Sequence, residues 1–165
     1  MDINLAADYA SLTMIESGQS PTLLKLHKIL YYVQAWHLAL TSTPLLDEKF
    51  QAWVHGPVSP SLYNRYKTTK NMFSLITEED IDINSLNSLD DDSRYHIDAV
   101  LESYGHLSGT QLEELTHQEM PWKKARGKAG KYERATRAIS ETDMANYYKR
   151  MAQPELPDED ESKKE

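Results

Sequence analysis

Residues 23–40 carry apolar or aromatic side chains around nearly the whole circumference of a predicted helix. Such a helix is stable in water only when other elements cover it on all sides. The segment therefore predicts a central buried helix. Ser20 and Pro21 favour a helix start here, because serine can cap a free amide and proline has no amide to leave unsatisfied. The main stripe of this helix consists of Leu23, Leu26, Leu30, Val33, His37 and Leu40.

Start and stop signals indicate several other helices around the central one. Asp2 can cap a first helix, which is expected to end near Gly18. The predicted buried face of that helix consists of Leu5, Tyr9, Leu12 and Ile15. Further helices are predicted after Ser59, over residues 97–104, after Ser108, at Pro121 and after Ser140. The predicted fold is mainly α, a single compact domain of about six helices.

One short β element is predicted near residues 49–55, where apolar side chains alternate with polar and larger ones. Gly56 and Pro57 are predicted to end this strand, and Pro60 to begin the helix that follows. We expect these two prolines and the glycine to form the structural motif of the turn. Residues 134–139 are a candidate second strand beside the first.

The chain has 165 residues and no cysteine, and its formal net charge is -8. This length suits a single domain. Without cysteine the chain forms neither a disulfide nor a thiolate metal site, so we expect a reducing, cytoplasmic location. Apolar stretches such as residues 29–33 are far shorter than the ~20 residues that cross a bilayer. The segment Met1–Asn4 lacks the basic start of an export signal. No membrane partner is therefore expected.

Charged residues are unevenly distributed along the chain. Residues 151–165 hold six acidic and two basic side chains, which predicts a helical domain over residues 1–152 and a disordered acidic tail over residues 153–165. The acidic segment 78–92 also contains isoleucines and leucines, and it is predicted to be a surface connector docked on the core. Residues 123–137 form a basic cluster. Binding to the phosphates of a nucleic acid is one interpretation of this cluster, but the net negative charge of the chain disfavours such a partner.

Motifs of nucleotide-binding and hydrolytic enzymes are absent from the sequence, which has no phosphate loop, dinucleotide-binding turn, nucleophile elbow or zinc-protease helix. No two of the six histidines are spaced i, i+4, so we expect no metal and no cofactor. His27 and His37 are predicted to be hydrogen-bonded inside the helical core. His55 has two interpretations, as an anchor of its turn through a backbone carbonyl or as part of a recognition surface. The chain is not expected to be an enzyme.

Aromatic composition favours a binding function. The sequence has ten tyrosines and three tryptophans against two phenylalanines. Tyrosine and tryptophan combine apolar area with a polar tip and are frequent both at core edges and in interface centres. Pairs such as Tyr63 with Tyr66 are more typical of a core, and an interface is the alternative. The candidate partner-binding residues are Trp53, His55, Tyr63 and Tyr66.

Several segments carry a family resemblance. They are Lys25–Trp36, Pro44–Tyr63, Leu112–His117, Pro121–Trp122 and Ala125–Arg126. In these segments the chain closely resembles the Panacea domain family, which includes SocA-like antitoxins and phage-associated GepA-like proteins. The resemblance extends over about residues 5–150, nearly the whole predicted helical domain.

This resemblance implies a mainly helical antitoxin of a toxin-antitoxin pair. Such an antitoxin binds a toxin protein encoded beside it and blocks it, and the toxin is expected to inhibit translation or growth. Some relatives append a DNA-binding domain, for which we expect no room in this chain. The resemblance therefore implies a cognate protein toxin as the partner.

Two other functions remain open at this point. One is an adaptor that delivers the toxin or another client to a cellular protease, with the acidic tail as a tether. The other is an enzyme that uses His55 or His117. A pocket that brings either histidine together with carboxylates would favour the enzyme.

Overall fold

The computed structural model of the chain describes residues 1–153, which form seven α-helices, two 3₁₀ helices and one β-hairpin. The α-helices are α1 Ile3–Glu16, α2 Leu23–Thr41, α3 Pro60–Tyr66, α4 Asp91–Tyr104, α5 Gly109–Gln118, α6 Met120–Arg126 and α7 Glu141–Ala152. The hairpin consists of β1 Gln51–Trp53 and β2 Gly56–Val58, and the 3₁₀ helices cover Glu78–Asp80 and Ile83–Ser88. The predicted mainly helical fold with a small β element is confirmed.

Helix α2 is the centre of the core. Helices α1, α4, α5 and α7 and strand β2 pack against it, and most of its residues are buried. The predicted central helix is therefore confirmed, although Leu40 near its end is exposed. His27 lies fully within the core. His37 is hydrogen-bonded as predicted, but it lies at the more exposed end of α2, with its Nδ1 atom 2.6 Å from the carbonyl oxygen of Thr43.

The start of α2 differs from the prediction. Thr22 caps the helix, its hydroxyl accepting a hydrogen bond of 3.1 Å from the N–H of Lys25. Pro21 precedes the cap, and its carbonyl accepts from the N–H of Ile76 at 2.8 Å. Thr22 also forms an antiparallel bridge with Leu75. Residues 21 and 22 are extended because they pair with a distant segment, which local helix signals do not reveal.

Helix α1 buries a different face from the predicted one. Its core face consists mainly of small side chains, namely Ile3, Ala6, Ala7, Ala10 and Met14. The predicted stripe of Leu5, Tyr9, Leu12 and Ile15 is only half-buried. Alanines allow two helices to approach closely, because helix separation depends on the side chains at the contact. The larger side chains of α1 are therefore turned away from α2.

Other helix starts follow the local signals. The side chains of Asp2, Ser59, Ser108 and Ser140 each accept a hydrogen bond from a backbone N–H in the first turn of α1, α3, α5 and α7, respectively. Pro60 occupies the first turn of α3, as predicted. These hydrogen bonds satisfy amides that have no partner within their helix.

The β element is a hairpin, so the prediction that Gly56 and Pro57 end the strand was wrong. Strand β1 pairs antiparallel with β2, and both residues belong to β2. Gly56 has a φ of +95°, which glycine adopts readily because it lacks a Cβ atom. The chain can therefore reverse direction directly after His55.

Residues 134–139 pair with β1, as expected, through a short bridge. The N–H of Ala52 donates to the carbonyl of Arg137 at 2.8 Å, and the N–H of Ile139 donates to the carbonyl of Phe50 at 2.8 Å. Only Gln51 and Ala138 form the bridge pair. The segment before α7 is thus attached to the far edge of the hairpin.

Helix α7 closes the core through a buried carboxylate. Glu119, between α5 and α6, accepts hydrogen bonds from the hydroxyls of Tyr32 at 2.5 Å and Tyr148 at 3.0 Å. The Tyr148 hydroxyl also lies 3.2 Å from that of Tyr31. Burial raises the pKa of Glu119, while the two tyrosine hydroxyls lower it. These contacts join α2, the α5–α6 junction and α7 at one point.

Residues 78–92 form the predicted connector. Ile81, Leu86 and Leu89 are buried, whereas Ile83 is exposed. The predicted acidic tail, residues 153–165, lies outside the described residues except for Gln153, which follows α7. Among residues 1–153, no helix combines the length and the apolar character needed to span a membrane.

Candidate partner-binding surface

Trp53 and Tyr63 form an aromatic pair beside the hairpin. Their ring centroids are 4.9 Å apart and the rings meet edge to face. The indole N–H of Trp53 donates to Gln51 at 2.8 Å. Tyr63, on α3, is 38% exposed. This pair offers a partly exposed apolar area with polar tips.

His55 lies at the turn of the hairpin and reaches α5. Its Nδ1 atom is 2.8 Å from a carboxylate oxygen of Glu113, and its side chain is 61% exposed. The residue is anchored, but by a carboxylate rather than the predicted backbone carbonyl. The ring is also exposed, so a role of His55 in recognition stays a prediction.

Tyr66 does not share this surface. It is 4% exposed, and the guanidinium of Arg65 lies 4.9 Å from its ring centroid. Arg65 in turn forms a salt bridge of 2.6 Å with Asp8 on α1. Burial raises the pKa of Tyr66. Tyr66 therefore belongs to the core, where it joins α3 to α1.

Lys28 contacts the hairpin from the core side. Its side chain is fully buried, and its Nζ atom donates a hydrogen bond of 3.0 Å to the carbonyl of Pro57. Burial lowers the pKa of Lys28 to about 7, while the charge of Glu113 raises it. A side chain on Gly56 would meet Lys28 and Thr116, because its Cβ atom would lie 2.8 Å from each. The hairpin thus sits directly on α2 and α5.

His27 holds the end of β2. Its Nδ1 atom accepts a hydrogen bond of 3.1 Å from the N–H of Ser59, so its proton is on Nε2. Burial, and then the charge of Lys28, lower its pKa well below the usual value. The hydroxyl of Ser59 donates to Glu48 at 2.6 Å. The Nε2 atom of His27 has no partner within residues 1–153.

Trp122 and His117 also help to hold the hairpin in place. The indole N–H of Trp122 donates to the carbonyl of Trp53 at 2.9 Å, and the ring of His117 stacks on Trp122 at 4.2 Å. Burial lowers the pKa of His117. His117 also lies 4.0 Å from Glu113. Glu113 therefore approaches both His55 and His117.

Sequence reasoning missed that Glu113 and the buried Lys28 hold this surface in place. A lysine within a stretch that is apolar almost all round was a signal for Lys28, but Lys25 shares it. Glu113 gave none, because it lies 58 residues from His55. Among residues 1–153, no three potential metal ligands are grouped together.

The comparisons with known proteins agree with the motifs at the hairpin. Residues 26–123 match the family model described as Antitoxin SocA-like, Panacea domain. The chain belongs to this family. Antitoxin SocA from Caulobacter vibrioides (strain NA1000 / CB15N) is 30% identical over 107 residues, which cover 60% of this chain and 56% of that protein. The chain thus matches little more than half the length of this curated relative. No solved structure matches.

The Panacea domain match contains the whole hairpin surface. Trp53, His55, Tyr63, Glu113 and Trp122 all lie within residues 26–123. Helices α1 and α7 lie outside the matched residues, although both pack against α2. The family match and the packed helical core therefore have different boundaries.

Proposed function

We propose that the chain is an antitoxin that neutralises a co-encoded protein toxin by direct, stoichiometric binding. Membership of the SocA-like antitoxin family carries this proposal. The toxin is a translation or growth inhibitor, and no metal, nucleotide or other cofactor takes part. The protein acts by covering its partner rather than by turnover.

The hairpin surface is the proposed contact face, and Trp53, His55 and Tyr63 are its central residues. Interface centres are enriched in tyrosine and tryptophan, which carry much of the binding energy when buried in a complex. Lys28 and Trp122 hold the backbone beneath them. A surface that is already ordered loses little conformational entropy on binding. Tyr66 is left out of this face because it is buried.

The net negative charge of the chain favours a basic partner. The chain has a formal net charge of -8. Complementary charge speeds the encounter of two proteins, while aromatic anchors supply affinity. A basic toxin therefore fits both properties of the chain.

The test is co-expression with the protein of the adjoining reading frame, followed by titration of purified chain against toxin activity. We expect a stable complex and an end point at a fixed ratio. Trp53→Ala and Tyr63→Ala should each weaken the complex by about tenfold or more, as truncation of an interface anchor does. Phe73→Ala is the matched control, because Phe73 is an aromatic residue that is 71% exposed in the loop after α3. The absence of any complex would overturn the proposal.

Two outcomes would point to the other functions. Silencing of all toxin by a substoichiometric amount of the chain indicates an enzyme, and Glu113→Gln should then abolish it, since Glu113 approaches both His55 and His117. Protection only in cells that contain an active protease indicates an adaptor. Removal of residues 154–165 would then show whether the acidic tail is its tether.

A further inference from the structure

A groove of about 770 Å³ opens between α1 and α4, away from the hairpin residues. Tyr9 and Leu12 of α1 form one wall, Asp98 and Leu101 of α4 form the other, and Leu86 of the second 3₁₀ helix contributes to the lining. The groove follows α1 from Tyr9 to Ser17, a length of about 12 Å at the rise of an α-helix.

The groove contains an apolar stripe because α1 has a second apolar face. The small side chains of α1 face α2, so Leu12 is left only half-buried beside the groove. Leu101 on α4 is half-buried as well. Large apolar side chains that remain partly in water are characteristic of interaction sites when they line a concave surface.

The walls of the groove are fixed by polar contacts. The hydroxyl of Tyr9 donates to both carboxylate oxygens of Asp98, at 2.9 and 3.1 Å. The guanidinium of Arg94 lies 5.6 Å from the ring centroid of Tyr9. It also donates to the carbonyls of Leu89 at 3.0 Å and Leu86 at 2.6 Å. The shape of the groove is therefore largely set before a partner arrives.

The rim of the groove is acidic. Glu16, Asp98 and Glu102 line it and are exposed. Arg94 is the one arginine or lysine among the lining residues, and its guanidinium is engaged by two carbonyls and an aromatic ring. A cationic partner is favoured at this rim, because opposite charges attract and like charges exclude other partners.

The occupant must satisfy its own backbone hydrogen bonds. Both walls are helices, whose backbone groups are already paired within the helix. An extended peptide would find no strand edge between α1 and α4 to pair with. A helix brings no unpaired backbone groups and places apolar residues at i, i+3, i+4 and i+7 along one side.

We infer that the α1–α4 groove binds an amphipathic helix of the toxin, with apolar residues facing Leu12 and Leu101 and with lysine or arginine residues facing the acidic rim. This inference rests on the proposed function and adds a second contact site to the hairpin surface. A helix of two to three turns matches the length of the groove.

The experiment uses the complete chain and the purified protein of the adjoining reading frame. Leu12→Arg puts a charge on the apolar part of the α1 wall, and Glu102→Lys reverses a charge on the rim. Each should weaken binding by about tenfold or more. Leu40→Arg and Glu79→Lys are matched controls at exposed positions outside the groove, and they should bind like the parent chain.

Hydrogen exchange is the second measurement, because it does not depend on a variant that might unfold. The side chains of residues 9–17 and 94–106 that line the groove should contact the toxin, so amides in these two segments should exchange more slowly in the complex with the parent chain. If a complex forms but neither segment is protected and both groove variants bind normally, the inference is wrong and the proposed function stands. If no complex forms at all, the proposed function itself fails. A dimer of this chain that the groove variants abolish would identify a second copy as the occupant and overturn the inference.

Discussion

The Nζ atom of Lys28 donates to the carbonyl oxygen of Pro57 from a side chain that solvent does not reach. The contact joins α2 to β2 across 29 residues of sequence. A neutral amine keeps N–H groups to donate, so this hydrogen bond does not require the charged form. Lys28 can therefore hold the hairpin in either protonation state, but the two states differ in stability.

We expect Lys28 to make the free energy of unfolding rise with pH above neutrality. Its pKa is about 7 in the folded chain and about 10.4 in an unfolded lysine. Between these values the unfolded state binds more protons, so stability increases with pH, by up to about 1.3 kcal/mol per pH unit. Urea unfolding across this range measures the slope.

In Lys28→Met the free energy of unfolding should no longer show this rise with pH, whereas Lys67→Met, at an exposed position, should retain it. The difference between variant and parent isolates Lys28, because the other titrating groups are common to both chains. An unchanged slope in Lys28→Met would show that Lys28 is not the group responsible.

Glu119→Gln should leave the fold at least as stable as the parent above neutral pH. The amide oxygen can accept from Tyr32 and Tyr148 without the cost of burying a charge. Burial raises the pKa of Glu119, so the parent loses stability as pH rises through that value. The advantage of the variant should therefore shrink as the pH falls towards 4.5, the ordinary value.

Glu119→Ala is the contrasting change. It leaves the buried Tyr32 hydroxyl without its acceptor, leaves that of Tyr148 with Tyr31 alone, and creates a cavity. Together these changes should cost about 3 kcal/mol. Chemical unfolding of both variants compares the two effects. Equal destabilisation by Gln and Ala would mean that the carboxylate charge itself is needed at this point.

Gly56→Ala should destabilise the chain more than Gly18→Ala does. Both glycines have a similar positive φ, +95° and +92°, so both changes introduce backbone strain of about 1–2 kcal/mol. A Cβ atom on Gly18 meets nothing within 4 Å, whereas one on Gly56 lies 2.8 Å from Lys28 and Thr116. This crowding should add about 1–3 kcal/mol.

Melting temperatures of the two glycine variants give the comparison directly. The same shift in both would mean that Lys28 and Thr116 move aside easily. In that case the hairpin would not be held by close packing on α2 and α5.

Features of the fold that depend on nearby residues could be predicted from the sequence. Features that depend on packing between distant segments could not. The caps at Asp2, Ser59, Ser108 and Ser140 depend on residues within one helical turn, and all four are present. The sequence of α1 contains two stripes that could be buried, and only packing against α2 selects the alanines.

The residues of the candidate surface also separate into those that local sequence could predict and those that it could not. Trp53, His55 and Tyr63 lie close together in sequence, and the rings of Trp53 and Tyr63 pack together beside the hairpin turn. Glu113 lies on α5, and no local sequence pattern connects it to His55. Tyr66 is only three residues after Tyr63 and about 60° from it around α3, so spacing alone did not reveal that Tyr66 is buried while Tyr63 is partly exposed.

Arg126→Met should loosen residues 127–139 without unfolding the domain. The buried guanidinium of Arg126 donates to the carbonyls of Ala52 at 3.3 Å and of Gly130 and Glu133 at 2.7 Å each. Hydrogen bonds from a charged group contribute about 1.5–3 kcal/mol each, so local opening of this segment should increase by about tenfold or more.

Limited digestion with trypsin measures this opening, since Lys128, Lys131 and Arg134 lie in the segment. Cleavage there should be faster in Arg126→Met, while Lys123→Met, at an exposed position on α6, should be cleaved like the parent. Unchanged cleavage in Arg126→Met would show that the bridge between Gln51 and Ala138 holds the segment alone.

The long separation between α2 and α7 also affects synthesis of the protein. Helix α7 begins at Glu141, 100 residues after α2 ends at Thr41. At about 5–20 residues per second, a ribosome needs roughly 5–20 s to make the intervening chain. Throughout this time Tyr31 and Tyr32 lack Tyr148, their buried partner from α7. The core of a nascent chain therefore stays open until α7 has been made, and a ribosome stalled before residue 141 would hold a chain that cannot close its core.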